Sequence, residues 1–219
     1  MAEVGMLARF LNGVSKPTRL LLTRAGPVEN SAGVLYSHPG LPLATAGVQK
    51  LRGLGMVLAK DRPVLIISAD SHAEASAARM LARLLNTPFE LSQALRERAW
   101  GEWEGLPFEQ VRRLWPRQVA AWQEDEAGFA PPQGESLYEV EKRSLPAIRR
   151  FLNEYNGKTL LLVGNCTVNR VALRMALPFM PLAEGLRLEQ NYAELSELRF
   201  YGEEGILVRL NERLVVESD

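Results

Sequence analysis

The feature that most constrains this chain is a set of three unbroken apolar runs, each ending in small or polar residues. They are Leu20-Leu21-Leu22 before Thr23-Arg24-Ala25-Gly26, Val64-Leu65-Ile66-Ile67 before Ser68, and Leu160-Leu161-Leu162-Val163 before Gly164-Asn165-Cys166-Thr167. Continuous rather than alternating hydrophobicity marks strands buried on both faces, the pattern of a parallel sheet covered by helices on each side. Helical periods separate the runs. Thr45 is placed to cap a helix in which Val48, Leu51, Leu54 and Leu58 recur on one face. An alanine-rich helix over residues 71–85 offers Ala73, Ala77, Leu81, Leu84 and Leu85 for packing. Strand–helix alternation of this kind gives an α/β fold with a largely parallel sheet.

The remaining segments fill in around that frame. Residues 89–91 add a brief strand, and Pro107 opens a helix carrying Phe108, Val111, Leu114 and Trp115, with a further apolar group over residues 119–122. Residues 27–40 and 123–134 are rich in Pro, Gly and polar residues and form loops, the second placed as a lid. Ser136 and Glu139 have capping-box spacing, so a helix starts there and runs towards Tyr155, with a kink expected at Pro146. A further helix is expected over residues 168–177, closed by Pro178 and Pro181. Residues 195–200 and 206–210 are joined by a Gly-rich turn and form a hairpin on the sheet edge. Residues 1–17 are expected to be an N-terminal extension, a short amphipathic helix with Met6, Leu7, Phe10, Leu11 and Val14 at helical spacing, ahead of one domain over residues 18–219.

Composition removes several classes of function. Lys+Arg and Asp+Glu balance at 26 each among 219 residues, without the basic surplus of a nucleic-acid binder. The single cysteine, Cys166, excludes an internal disulfide and suits a reducing compartment. No apolar run approaches the roughly 20 residues of a membrane helix, and the N-terminus lacks a cleavage pattern, so the expected location is the cytoplasm. Two histidines and one cysteine show no ligand spacing, so neither a metal nor another cofactor is expected.

In an open α/β sheet, ligands sit beyond the carboxyl ends of the strands. Three strand ends are expected to face one crevice here: Arg24-Ala25-Gly26, residues 68–72, and Gly164-Asn165. Arg24 is suited to clamping an anion, and Gly26 permits close backbone approach.

The order of strand-Arg24-Ala25-Gly26, Pro42-Leu43 to Gly47, Leu95-Arg96-Glu97, Gly101-Glu102-Trp103-Glu104-Gly105-Leu106, Pro131-Pro132-Gln133-Gly134-Glu135-Ser136 and Gly164-Asn165-Cys166 resembles the histidine phosphatase superfamily, in its phosphoglycerate-mutase-like branch. The likeness runs from Arg19 to Leu210. It implies a three-layer α/β/α sandwich and phosphoryl chemistry through a phosphohistidine. Such chemistry needs an imidazole nucleophile, cations around the phosphoryl oxygens and an acid for the leaving group. By the resemblance, the nucleophile's position is Ala25, the phosphate-holding histidine's is Asn165, a second phosphate arginine's is His72, and the family asparagine falls at Asn30. Glu97 keeps the place of the proton donor, and Arg24 is retained.

The resemblance with these replacements implies a protein that has lost its nucleophile and binds a phosphorylated small molecule, another anion or a protein partner, a homodimer among the options. The alternative is an active phosphomonoesterase or phosphomutase with a relocated nucleophile, His72 or Cys166; His38 sits in a loop near the crevice. The simultaneous changes at His72, Asn165 and Cys166 weigh against Ala25 being a lone engineered knock-out. Each site residue also has a structural reading: Arg24 as an ion pair, Glu97 paired with Arg96 or Arg98, His72 at the surface, Asn165 as a helix cap. Among the tryptophans, Trp103 is the one expected to wall the crevice.

Overall fold

The computed structural model describes residues 13, 16–37 and 40–213. The helix expected over residues 1–17, apart from residues 13, 16 and 17, and His38 lie outside the described residues. Six strands and six α-helices follow in the order β1 (Thr18–Arg24), α1 (Thr45–Leu58), β2 (Leu65–Ser68), α2 (His72–Leu85), β3 (Phe89–Leu91), α3 (Phe108–Leu114), α4 (Pro116–Glu124), α5 (Leu137–Glu154), β4 (Thr159–Gly164), α6 (Cys166–Arg174), β5 (Leu195–Tyr201) and β6 (Glu204–Glu212) among the described residues. The sheet has the order β3-β2-β4-β1-β5-β6. Its first four strands in that order are parallel, and the β5–β6 hairpin closes one edge antiparallel.

The apolar runs are continuous because alternate residues serve opposite layers. Leu20, Leu22, Leu65, Ile67, Leu160 and Leu162 pack against Val140, Ile148 and Phe151 of α5 and Val168 and Ala172 of α6. Leu21, Ile66, Leu161 and Val163 face the other way, onto Leu51, Leu54 and Leu58 of α1 and Ala73, Ala77 and Leu81 of α2. The result is the three-layer α/β/α sandwich. Each of the Leu, Ile, Val and Phe side chains among them contributes roughly 1.5–3 kcal/mol by leaving water.

Several local expectations are corrected. Thr45 is the first residue of α1 rather than its cap; the N-cap is Ala44, which offers no side-chain acceptor. Leu84 is half exposed, because α2 turns that side to solvent. The apolar stretch after Pro107 breaks into two helices at Trp115, with Pro116 at the start of α4, and both Phe108 and Leu114 are exposed. Helix α6 begins at Cys166, two residues before the expected start, because Asn165 caps it from immediately beyond β4. The capping box at α5 is formed as its spacing indicates: Glu139 N–H donates to Ser136 Oγ at 3.2 Å, and Ser136 N–H to Glu139 Oε2 at 2.7 Å. Pro146 lies inside that helix.

What matters for the site is register. Arg24 stands opposite Gly164 across the β1–β4 pair, and Ser68 stands opposite Val163. Three strand C-termini therefore open at one level. Ala25 N–H continues the ladder to Gly164 O at 3.1 Å, which holds the first turn after β1 flat against β4. Gly26 then passes so close to α1 that a Cβ on it would lie 2.6 Å from Gly47 Cα. A glycine is required on each side of that crossing, which accounts for both glycines by one contact.

Candidate functional site

At the strand ends lies a cavity of about 290 Å³. Arg24 and Ala25 come from the end of β1, Glu74 from the first turn of α2, and Glu97 from the segment after β3. Asn165, Cys166 and Arg170 come from the start of α6, while Tyr36, Trp100, Trp122 and Tyr192 form walls. Of the residues expected at the site, Arg24, Ala25, Glu97 and Asn165 line the cavity. Cys166 joins them.

Arg24 is braced, with no ion pair among the described residues. Its guanidinium carbon sits 4.0 Å over the Tyr192 ring, and its Nη1 donates to Gln190 O. The Arg24 carbonyl accepts from Ala193 N–H at 3.1 Å, so the 190–193 segment is pinned to the strand end that presents the arginine. A guanidinium held on an aromatic face loses little entropy on meeting a ligand.

Glu97 is fixed by backbone contacts. Its Oε1 accepts from Arg98 N–H at 2.7 Å and its Oε2 from Thr167 N–H at 3.3 Å, at the N-terminus of α6. It does not pair with either neighbouring arginine. Arg96 goes to Asp70, with Nε and Nη2 donating at 2.6 and 2.7 Å. The buried Arg98 donates to Glu135 O and Phe129 O, both at 2.6 Å.

Asn165 is a cap. Its Oδ1 accepts from Val168 N–H at 2.9 Å and its Nδ2 donates to Leu95 O at 2.9 Å, so both ends of the amide serve the fold. His72 and Asn30 are not among the residues that line the cavity. His72 is the first residue of α2 and points to solvent. Asn30 closes its own loop, with Nδ2 donating to Val34 O and Oδ1 accepting from Val34 N–H, both at 2.9 Å. The fully buried Trp103 stacks on Phe129 behind the wall; Trp100 and Trp122 face the cavity instead.

The two most specific sequence motifs meet in space and hold this wall. Glu102 N–H donates to Pro132 O, and Glu135 N–H to Ala99 O, each at 2.9 Å. Gly101 has φ +56° and no room for a Cβ, which would sit 2.1 Å from Pro132 O. Arg143, unremarked in the sequence, ties them together. Its Nε and Nη2 grip the Glu135 carboxylate at 2.7 and 2.8 Å, while Nη1 reaches Ala94 O at 2.8 Å and Nη2 reaches Glu97 O at 3.1 Å. The Arg143 guanidinium holds the Glu135 carboxylate below its usual range, against the opposing effect of burial.

Glu74 is the site residue that sequence reasoning missed. It is 8% exposed, and burial pushes its carboxyl up to about 7, aided by Glu97 and opposed by its own backbone N–H and by Arg24. Its phase was legible: Glu74, Ala78 and Leu81 share one stripe of α2. Burial also pushes the Cys166 thiol up, with Arg170 and Arg24 pulling the other way. The Tyr36 hydroxyl is pushed up as well, by burial and then by Tyr192.

No helix among the described residues is long and apolar enough to cross a membrane, and no group of three or more potential metal ligands occurs among them. Comparison with known proteins agrees with the motif order. The bifunctional protein Rv2228c of Mycobacterium tuberculosis is 32% identical over 198 residues, 89% of this chain and 53% of that protein. A glucosyl-3-phosphoglycerate phosphatase of Mycolicibacterium vanbaalenii is 31% identical over 137 residues, 62% of this chain and 60% of that protein. The chain thus spans between half and two thirds of the length of these relatives. Among solved structures, the complex of mycobacterial glucosyl-3-phosphoglycerate phosphatase Rv2419c with inorganic phosphate has the same fold, with a TM-score of 0.75 at 23% identity over 89% of this chain and 97% of that one. The model of the histidine phosphatase superfamily (branch 1) matches residues 20–213, from the first buried leucine of β1 to the end of the described chain, and the chain belongs to that superfamily.

Proposed function

We propose that this chain is a non-catalytic member of the superfamily that keeps its crevice as a binding pocket for an anionic ligand. The observation that carries the reading is Ala25. It lies beside Arg24 at the end of β1, where the family resemblance puts the nucleophile, and its methyl is packed into the α1–α2 layer. A methyl group has no lone pair with which to attack phosphorus. Around it, Asn165 is spent on capping α6, and His72 stands outside the cavity. In nucleophilic enzymes, losing one member of the catalytic unit costs orders of magnitude in rate. What persists is Arg24, braced at the strand end. The solved phosphatase complex with inorganic phosphate supports an anion as the class of ligand.

The competing reading is a phosphomonoesterase or phosphomutase with Cys166 or His72 as nucleophile, and the place of Cys166 in the cavity favours it. Against it stands a thiol pushed up by burial, since the thiolate is the reactive form. Incubation with phenyl phosphate decides between them. The non-catalytic reading requires no hydrolysis, together with thermal stabilisation by a simple anion, phosphate or acetate, that disappears in Arg24→Ala. Hydrolysis abolished by Cys166→Ala or His72→Ala would establish the other.

A further inference from the structure

Resting on the anion-pocket reading, we propose that the crevice selects an aryl carboxylate, a monoanion with an aromatic body, over a phosphate ester. A phosphate needs several donors around its oxygens. At the N-terminus of α6, the Val168 N–H is taken by Asn165 and the Thr167 N–H by Glu97. Two of that helix's leading amides are therefore held by the protein's own side chains.

Few cations balance the carboxyl groups of the crevice. Arg98 is committed to two carbonyls, while Arg170 reaches the Leu186 and Leu188 carbonyls through Nη2 at 3.4 Å and its buried Nε has no partner among the described residues. Arg24 has one hydrogen-bond acceptor among the described residues, the Gln190 carbonyl, so its remaining donors are open to a ligand. Facing it are two carboxyl groups, Glu74 and Glu97. A phosphate monoester is mainly a dianion at neutral pH, and its second charge meets the Glu97 carboxylate across the crevice.

A carboxylate meets a complementary pair. Arg24 offers a charge-assisted donor to one oxygen, and Glu74, when protonated, offers its O–H to the other. Burial favours that protonated form, and the groups facing Glu74 across the cavity are Glu97, Arg24, Tyr36, Tyr192, Arg170 and Cys166. The body of the ligand is set by the walls: Tyr36, Trp100, Trp122 and Leu137 give an aromatic, apolar lining suited to a ring. A volume of about 290 Å³ is at the small end for organic ligands, which limits the occupant to a compact molecule.

Calorimetric titration of the full chain with phenylacetate and with phenyl phosphate tests this, at about pH 6.5 and about pH 8.5, either side of the Glu74 transition. Phenylacetate is expected to bind at least about tenfold tighter than phenyl phosphate at the lower pH, and to weaken by about tenfold at the higher. Glu74→Gln keeps the shape and a donor but does not titrate, so it should flatten the pH dependence while keeping the preference. Arg24→Gln should abolish phenylacetate binding. Phenyl phosphate binding as tightly as phenylacetate, or a pH dependence untouched by Glu74→Gln, overturns the selectivity while leaving the anion pocket standing. Binding of neither probe overturns both. Hydrolysis of phenyl phosphate overturns the non-catalytic reading and leaves the relative affinities to decide the ligand class.

Discussion

Glu97 reaches across from the segment after β3 to accept the Thr167 N–H at 3.3 Å, at the N-terminus of α6. A carboxylate is favoured there by the unpaired amides and the helix dipole. Asn165 takes the next amide, so two of the leading amides of α6 are held by side chains from within the protein.

That arrangement makes Asn165 a stability residue. Asn165→Ala removes the cap and strands the buried Leu95 carbonyl, and should cost about 1–3 kcal/mol in urea unfolding. Asn165→Asp keeps the acceptor for Val168 but not the donor for Leu95, so its loss should be intermediate. An Asn165→Ala variant as stable as the parent would contradict the capping role.

Arg143 offers a second check, because it braces both the wall and the Glu97 backbone. Arg143→Ala should destabilise by about 2 kcal/mol and loosen the crevice. Arg143→Lys should recover little, since one ammonium cannot reproduce bonds to Glu135, Ala94 and Glu97 at once. Hydrogen exchange at Arg98 and Ala99, whose N–H groups bond to Glu97 and Glu135, reports the loosening directly.

Stability should carry the mark of Glu74. Its carboxyl lies at about 7 in the folded chain against an ordinary value of 4.5. Between those values the folded state holds a proton that the unfolded state has released, so this group's contribution falls as pH rises through that window and is constant above it. The full difference is about 3 kcal/mol. Glu74→Gln has no such titration, so its stability relative to the parent should increase from pH 4.5 to 7. Parallel pH profiles for the two proteins would contradict the buried acid.

The crossing of the β1 turn and α1 is equally testable. Gly26→Ala or Gly47→Ala drives a methyl into backbone, 2.6 Å from Gly47 Cα in the first case and 2.5 Å from Pro27 O in the second. Backbone has no rotamer with which to yield, so either change should cost about 1–3 kcal/mol or more in thermal unfolding.

These positions also show what the sequence made legible. The apolar runs disclosed the layers because a strand buried on both faces has no polar alternate, and register then followed from the parallel pairing. Motif order located the crevice. It did not disclose which polar side chains reach it. His72 and Glu74 are two residues apart on one helix, yet a turn of 200° separates a solvent-facing imidazole from a buried carboxyl. Arg143 was invisible because its partners lie on two separate segments, residues 94–97 and Glu135, and only the meeting of the two glycine motifs brings them within its reach. Trp100 and Trp103 exchanged roles for a similar reason: Gly101, with φ +56°, turns the chain between them.

The central claim is that Ala25 leaves the crevice without a nucleophile, and the direct measurement is hydrolysis of phenyl phosphate by the parent chain and by Ala25→His. The parent should release no phosphate above buffer. Ala25→His should release none either, because Asn165 remains tied to Val168 and Leu95 and offers no second imidazole, and the larger ring should lower stability by about 1–3 kcal/mol in the packed α1–α2 layer. Steady hydrolysis by the parent, lost in Cys166→Ala or His72→Ala, would contradict the account.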